Sequence, residues 1–155
     1  MFEPQDLVAL REIEELKYRY MRTLDLKDWG AFAECFEPEA TARYGERLQF
    51  ESRDEIVEFM ARNLGPSMIS THLVHHPELK LDGDTATGTW ALEDRVIMTE
   101  HRYLLQGAST YYDEYRRGAD GAWRVTHTSY DRIFESMTSL DDMPSFNLTA
   151  NRWGP

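Results

Sequence analysis

A chain of 155 residues fits one domain, and at that length it buries roughly two thirds or more of the surface that its unfolded form exposes. A formal charge of -11, a pI near 4.8 and scattered rather than clustered Lys and Arg argue against nucleic acid as a ligand. No run approaches the ~20 apolar residues needed to span a bilayer, the start "MFEPQDLVALREIEELKYRY" lacks the basic and apolar regions of a signal peptide, and the single Cys35 has no intrachain disulfide partner, so a cytoplasmic protein without a membrane partner is expected.

In chain order, Leu7, Leu10, Ile13, Leu16, Tyr20, Met21 and Leu24 recur at intervals near 3.6 and predict an amphipathic helix over residues ~5–24. Tyr20 and Lys17 fall inside its apolar stripe, the lysine with the default expectation of a snorkelling stem. Asp25 follows at the margin of the buried side. A second, short helix is expected from an N-cap at Asp28, carrying Trp29, Phe32 and Phe36 inward until "EPEA" stops it. "TARYG" and "RLQFE" read as a short strand pair. Ser52 and Glu55 have capping-box spacing and open a third helix with Ile56, Phe59, Met60 and Leu64 inward, which "GP" ends.

From about residue 69 the period changes to 2. "THLVHHPELKL", "TATGTWALEDRVIM", "GASTYYDEYRR" and "AWRVTHTSYDRIFES" read as four strands, with "DGD" and "GADG" as turns between neighbours. Helices followed by an antiparallel meander predict a single α+β domain over 1–155, its sheet curled around the helices so that the concave face encloses a pocket. The segment "MTEHRYLLQG" and the tail over 137–155, with Met143, Phe146, Leu148 and Trp153, are candidates for a lid, the tail also for an oligomer contact.

The histidines of "HLVHH" do not read as a metal site. In a regular strand His72 and His76 share a face but stand ~13 Å apart, while His75 points to the other side, so one zinc ion at Zn–N distances of ~2.0–2.1 Å does not collect them. The alternative is a base oriented by a carboxylate: if Asp25 accepts the Nδ1 proton of a strand histidine, Nε2 is left to take a proton from substrate. The competing reading has Asp25 merely ending its helix against backbone amides. Arg132 shares a strand face with Thr128 and Tyr130, a mixed polar face that suits a pocket wall, and Asp94 either joins that wall or pairs with a neighbouring strand.

Taken in order, "YRYMRTLDLKDW", "STHLVHHPEL", "TATGTWALEDRVI", "GASTYYDEYRR" and "TSYDRIFES" resemble the segments of a SnoaL-like domain of the NTF2-like superfamily. More narrowly they are similar to bile acid 7α-dehydratases, and more distantly to scytalone dehydratase and lindane dehydrochlorinase. The resemblance implies an NTF2-like cone, with N-terminal helices packed on a strongly curved antiparallel β-sheet. It implies His72, Asp25 and Tyr20 as catalytic residues, with Arg132 and Asp94 against the substrate; the strand face shared with Arg132 adds Tyr130 and Thr128 as candidate substrate contacts. It also implies a dehydratase that needs no cofactor and no metal, acting on a small apolar polycyclic or aromatic substrate such as a steroid, in a homo-oligomer, trimeric by family or dimeric. Ketosteroid isomerisation, polyketide cyclisation and a non-catalytic binding or assembly module on the same scaffold stay open.

Overall fold

The computed structural model describes residues 3–154; Met1, Phe2 and Pro155 of the expected domain lie outside the described residues. The elements are α1 (Pro4–Asp25), α2 (Trp29–Ala33), β1 (Phe36–Tyr44), β2 (Leu48–Phe50), α3 (Arg53–Asn63), β3 (Met68–Asp82), β4 (Thr85–Met98), β5 (Tyr103–Arg117) and β6 (Trp123–Ser139), followed by a 3-10 turn at Leu140–Asp142. The strands form one sheet in the order β2-β1-β6-β5-β4-β3. No described helix is long and apolar enough to cross a membrane.

The expected antiparallel sheet needs one correction. β1 and β6 pair in parallel, so the sheet is mixed, and it stays open between β2 and β3. A parallel neighbour needs a long connection rather than a tight turn, and here β2, α3, β3, β4 and β5 separate the two strands. Register shifts in β3 (His75/Glu78), between β4's neighbour β5 and β6 (Ala108/Ser109 and Glu114/Tyr115), and in β1 (Phe36/Thr41) bend the sheet around the helices.

α1 lays Ile13, Leu16, Tyr20, Met21 and Leu24 on the concave face; Leu7, counted in the predicted stripe, is exposed. Asp28 caps α2 by accepting from the Ala31 amide at 3.2 Å. The helix stops at Ala33, so Phe36 opens β1 instead of continuing α2, and "EPEA" lies within the strand. Pro38, which offers no N–H to a ladder, falls where β1 breaks register with β6. At α3, Ser52 Oγ accepts from the Glu55 amide at 3.2 Å, while the Glu55 carboxylate reaches the Glu51 amide at 2.8 Å, one residue before the box position. The segment "MTEHRYLLQG" forms the β4–β5 hairpin: Met98 pairs with Tyr103 and the turn closes with Arg102 at φ 58°.

Alternation along the strands sorts the concave face into cross-strand rows. One row sets Trp90, Tyr111, Tyr130 and Tyr44 side by side. Two rungs nearer the open end, His72, Asp94, Gly107 and Glu135 stand in line across β3, β4, β5 and β6.

Candidate active site

β3 is an edge strand, so part of its backbone has no strand neighbour, and the end of α1 fills that place. Lys27 at φ 57° and the Asp28 amide donating to the Thr23 carbonyl at 2.9 Å close α1 with a Schellman-type turn. The Lys27 ammonium then donates to the Met68 carbonyl at 2.8 Å, tying the turn to the start of β3. Asp25, the last residue of the helix, is thereby held against the strand. Its Oδ2 accepts the His72 amide at 2.7 Å, and its Oδ1 accepts the Ser70 hydroxyl at 2.9 Å and meets His72 Nδ1 at 2.6 Å. A carboxylate only accepts, so Nδ1 carries the proton between them, and in the neutral ring the lone pair then falls on Nε2. Among the described residues Nε2 has no hydrogen-bond partner.

His72 opens onto a cavity of about 260 Å³. Leu24, Phe59, Met60, Leu64, Met68, Val96, Met98 and Leu105 supply apolar walls, Tyr44, Tyr111 and Tyr130 an aromatic one, and Asn63, Asp94 and Arg132 polar groups. No described tail residue lines it. The tail instead runs from the Leu140 amide bonded to the Arg102 carbonyl at 2.9 Å to the Trp153 ring, 5.2 Å from the Lys27 ammonium.

Arg132 and Asp94 form a two-pronged ion pair, with Nη1–Oδ1 at 2.5 Å and Nη2–Oδ2 at 2.9 Å. Their strands are not adjacent; the pair spans β5 above Gly107. A Cβ on Gly107 would stand 2.4 Å from Arg132 Nη1 and 2.9 Å from Asp94 Oδ1, so the absent side chain is what makes room for the pair. Burial opposes the Arg132 charge, but the hydrogen bond and attraction of Asp94 leave its pKa above the ordinary value.

Tyr20 and Thr128 are corrections. Tyr20 does not line the cavity: it is buried a layer behind, packed on Phe32 and Phe36 at 5.2 Å, with its hydroxyl 2.8 Å from that of Tyr44, which does line it. Thr128 is buried one rung deeper and donates to Asp113 Oδ1 at 2.7 Å. Tyr130, Asp94 and Arg132 line the cavity.

Lys17 is no snorkelling lysine. It is fully buried, its ammonium 2.8 Å from Asp113 Oδ2, 3.5 Å from the centre of the Tyr111 ring and 4.4 Å from that of Tyr20. The ion pair is close but off the line of a hydrogen bond, and the ring faces take the other side of the cation. Asp113 also accepts the Tyr115 hydroxyl at 2.7 Å, so its buried charge is met by three groups. Sequence reasoning passed over Tyr44 and this cluster. The alternation of buried Ala40, Ala42 and Tyr44 along β1 was the available signal for Tyr44.

Of the other histidines, His75 is on the convex face, 3.1 Å from Glu93, and His127 Nδ1 meets Thr41 Oγ1 at 2.7 Å. His76 sits at φ 49° in the β3 bulge, off the regular strand used for the distance argument. Among the described residues no group of three or more His, Cys, Asp or Glu is placed to hold a metal ion.

This fold and site define a helix-capped sheet with a carboxylate-bonded histidine in the wall of a largely apolar cavity, and the family model described as the SnoaL-like domain matches residues 5–129. The chain belongs to that family. It is 23% identical over 128 residues to uncharacterized proteins of Mycobacterium bovis and Mycobacterium tuberculosis, covering 81% of this chain and 86% of theirs. Among solved structures it is similar to a scytalone dehydratase candidate from Novosphingobium aromaticivorans (16% identity, 94% and 93% of the two chains, TM-score 0.78). It is also similar to a hexachlorocyclohexane dehydrochlorinase from Novosphingobium barchaimii (16%, 85% and 91%, TM-score 0.76). Those likenesses show the shared NTF2-like fold.

Proposed function

We propose that the protein is a cofactor-independent hydro-lyase that eliminates water from a hydroxylated, carbonyl-activated, largely apolar ring substrate. The observation that carries this reading is the 2.6 Å contact between His72 Nδ1 and Asp25 Oδ1, which leaves Nε2 as a free base beside an apolar cavity. Asp25 keeps the proton on Nδ1. Nε2 takes the proton from the carbon next to the carbonyl, and the electrons of that C–H bond form an enolate. In this mechanism Tyr20, 2.8 Å behind, donates to the Tyr44 hydroxyl, and Tyr44 donates to the enolate oxygen. Collapse of the enolate forms the C=C bond and breaks the C–O bond. The departing hydroxide takes the imidazolium proton and leaves as water, which restores neutral His72. Positioned acid and base groups of this kind contribute about 10²–10⁴ each.

The same base and phenol would serve an isomerase or a cyclase, whereas a binding module has no use for an oriented imidazole. Incubation with hydroxylated steroids and aromatic polyketides, read by mass spectrometry, separates the readings: a hydro-lyase yields product lighter by one water, and an isomerase yields unchanged mass. A homo-oligomer, trimer or dimer, belongs to the same proposal, supported by the exposed Leu73, Tyr112 and Phe134 on the convex face of the sheet.

A further inference from the structure

The charge at the polar end of the cavity limits what can enter. A guanidinium has five N–H donors. In Arg132 three of them are hydrogen-bonded, Nη1 to Asp94 Oδ1 at 2.5 Å and to Ser109 Oγ at 3.3 Å and Nη2 to Asp94 Oδ2 at 2.9 Å, and the Glu135 carboxylate stands 3.1 Å from Nη2 as a second ion pair. The end-on pair of donors is taken by Asp94, and the remaining side-on pair, Nε–H and Nη2–H, has the negative charge of Glu135 at its Nη2 end, where a substrate carboxylate or phosphate would have to sit. The cation is also outnumbered, since Asp94 and Glu135 both sit on it and Asp25 stands behind His72 in the same region.

The surroundings do not restore the balance. The cavity shares Tyr44, Leu48, Tyr130 and Arg132 with an outer groove of about 870 Å³. That groove adds Glu46, Asp131 and Glu135 against Arg47, and the nearby Arg43 is taken by Asp131 at 3.0 Å. An anion moving inward therefore meets carboxylates that are not offset.

We infer that the cavity selects an uncharged substrate ring, and that Glu135 is a specificity-determining residue that closes Arg132 to anions. The inference rests on the proposed lyase reading for the identity of the site. Pockets for drug-sized ligands run from about 300 Å³ upward. The inner cavity, at about 260 Å³, accordingly seats one or two fused rings, and a larger framework extends into the groove.

The test is calorimetric binding of two bicyclic probes of similar size, neutral 6-hydroxy-1-tetralone and the anion 6-hydroxy-2-naphthoate, to the wild-type chain and to Glu135→Gln. The wild type is expected to bind the ketone at least about 10-fold tighter, by a margin that shrinks with added salt. Glu135→Gln is expected to tighten the anion several-fold and leave the ketone unchanged. Equal affinities in the wild type, an unchanged ratio in the variant, or binding of neither probe overturns the inference. Because the readout is binding alone, a chain that prefers the ketone yet never releases water sinks the lyase reading and leaves this selectivity standing.

Discussion

The hydroxyl of Tyr20 lies 2.8 Å from that of Tyr44, and of the two only Tyr44 faces the cavity. The proposed mechanism has the inner phenol donate outward, which leaves the Tyr44 proton for a ligand. Tyr44→Phe is expected to lower turnover about 10²-fold by removing the donor to the enolate. It should also cost about 1–3 kcal/mol of stability, because Tyr20 is left with a buried, unpaired hydroxyl. Tyr20→Phe should be milder on rate. Kinetics and denaturant unfolding of the two variants side by side check the order.

Lys17 and Asp113 are both fully buried, with their charged ends 2.8 Å apart. Burial drives the Lys17 pKa down, and the attraction of Asp113 works against that shift. Lys17→Met leaves the Asp113 carboxylate without its counter-charge and is expected to lose about 3–5 kcal/mol. Lys17→Met combined with Asp113→Asn should recover a large part of that loss. Urea unfolding of the single and double variants measures the coupling; additive losses would contradict it.

Burial also raises the phenol pKa values of Tyr20, Tyr44, Tyr111, Tyr115 and Tyr130. In the unfolded chain these groups ionise near pH 10, so above that pH the unfolded state sheds protons that the folded state keeps. The stability associated with neutral buried phenols is complete below pH ~10 and is lost as pH rises beyond it. Phenolate absorbance from this set is expected to appear in one step with the loss of far-ultraviolet circular dichroism. Full ionisation ahead of unfolding would show that the phenols are accessible.

Gly107 sits under the Arg132–Asp94 pair, and Gly107→Ala places a methyl group 2.4 Å from Arg132 Nη1. The pair has to move or open. A destabilisation of about 1–3 kcal/mol is expected, together with weaker discrimination against anionic ligands. Thermal unfolding and probe binding check both parts.

Periodicity made the rods and strands legible, since α1, α3 and the meander β3–β6 each follow a single repeat. It also placed Asp25 at the margin of a helix stripe, but spacing left open which strand histidine that carboxylate meets, and His72 was singled out only by the resemblance to the SnoaL-like family. The parallel pairing of β1 with β6 was not legible: it joins segments far apart in the chain and has no turn signal of its own. Neither was the depth of Tyr20. A stripe says which side of a helix is buried, and only the packing of β1 in front of it, with Tyr44, says whether that side meets a cavity. Lys17 escaped for a related reason, since its partners Asp113 and Tyr111 arrive from β5, and a lysine read alone defaults to solvent.

The most direct test compares the wild-type chain with His72→Ala on a neutral hydroxylated ketone that the wild type converts, following release of water by mass spectrometry. The dyad predicts a fall of more than about 100-fold in rate, with the fold and its thermal transition retained. A variant that keeps close to the wild-type rate would remove His72, and with it the role of Asp25, from the chemistry.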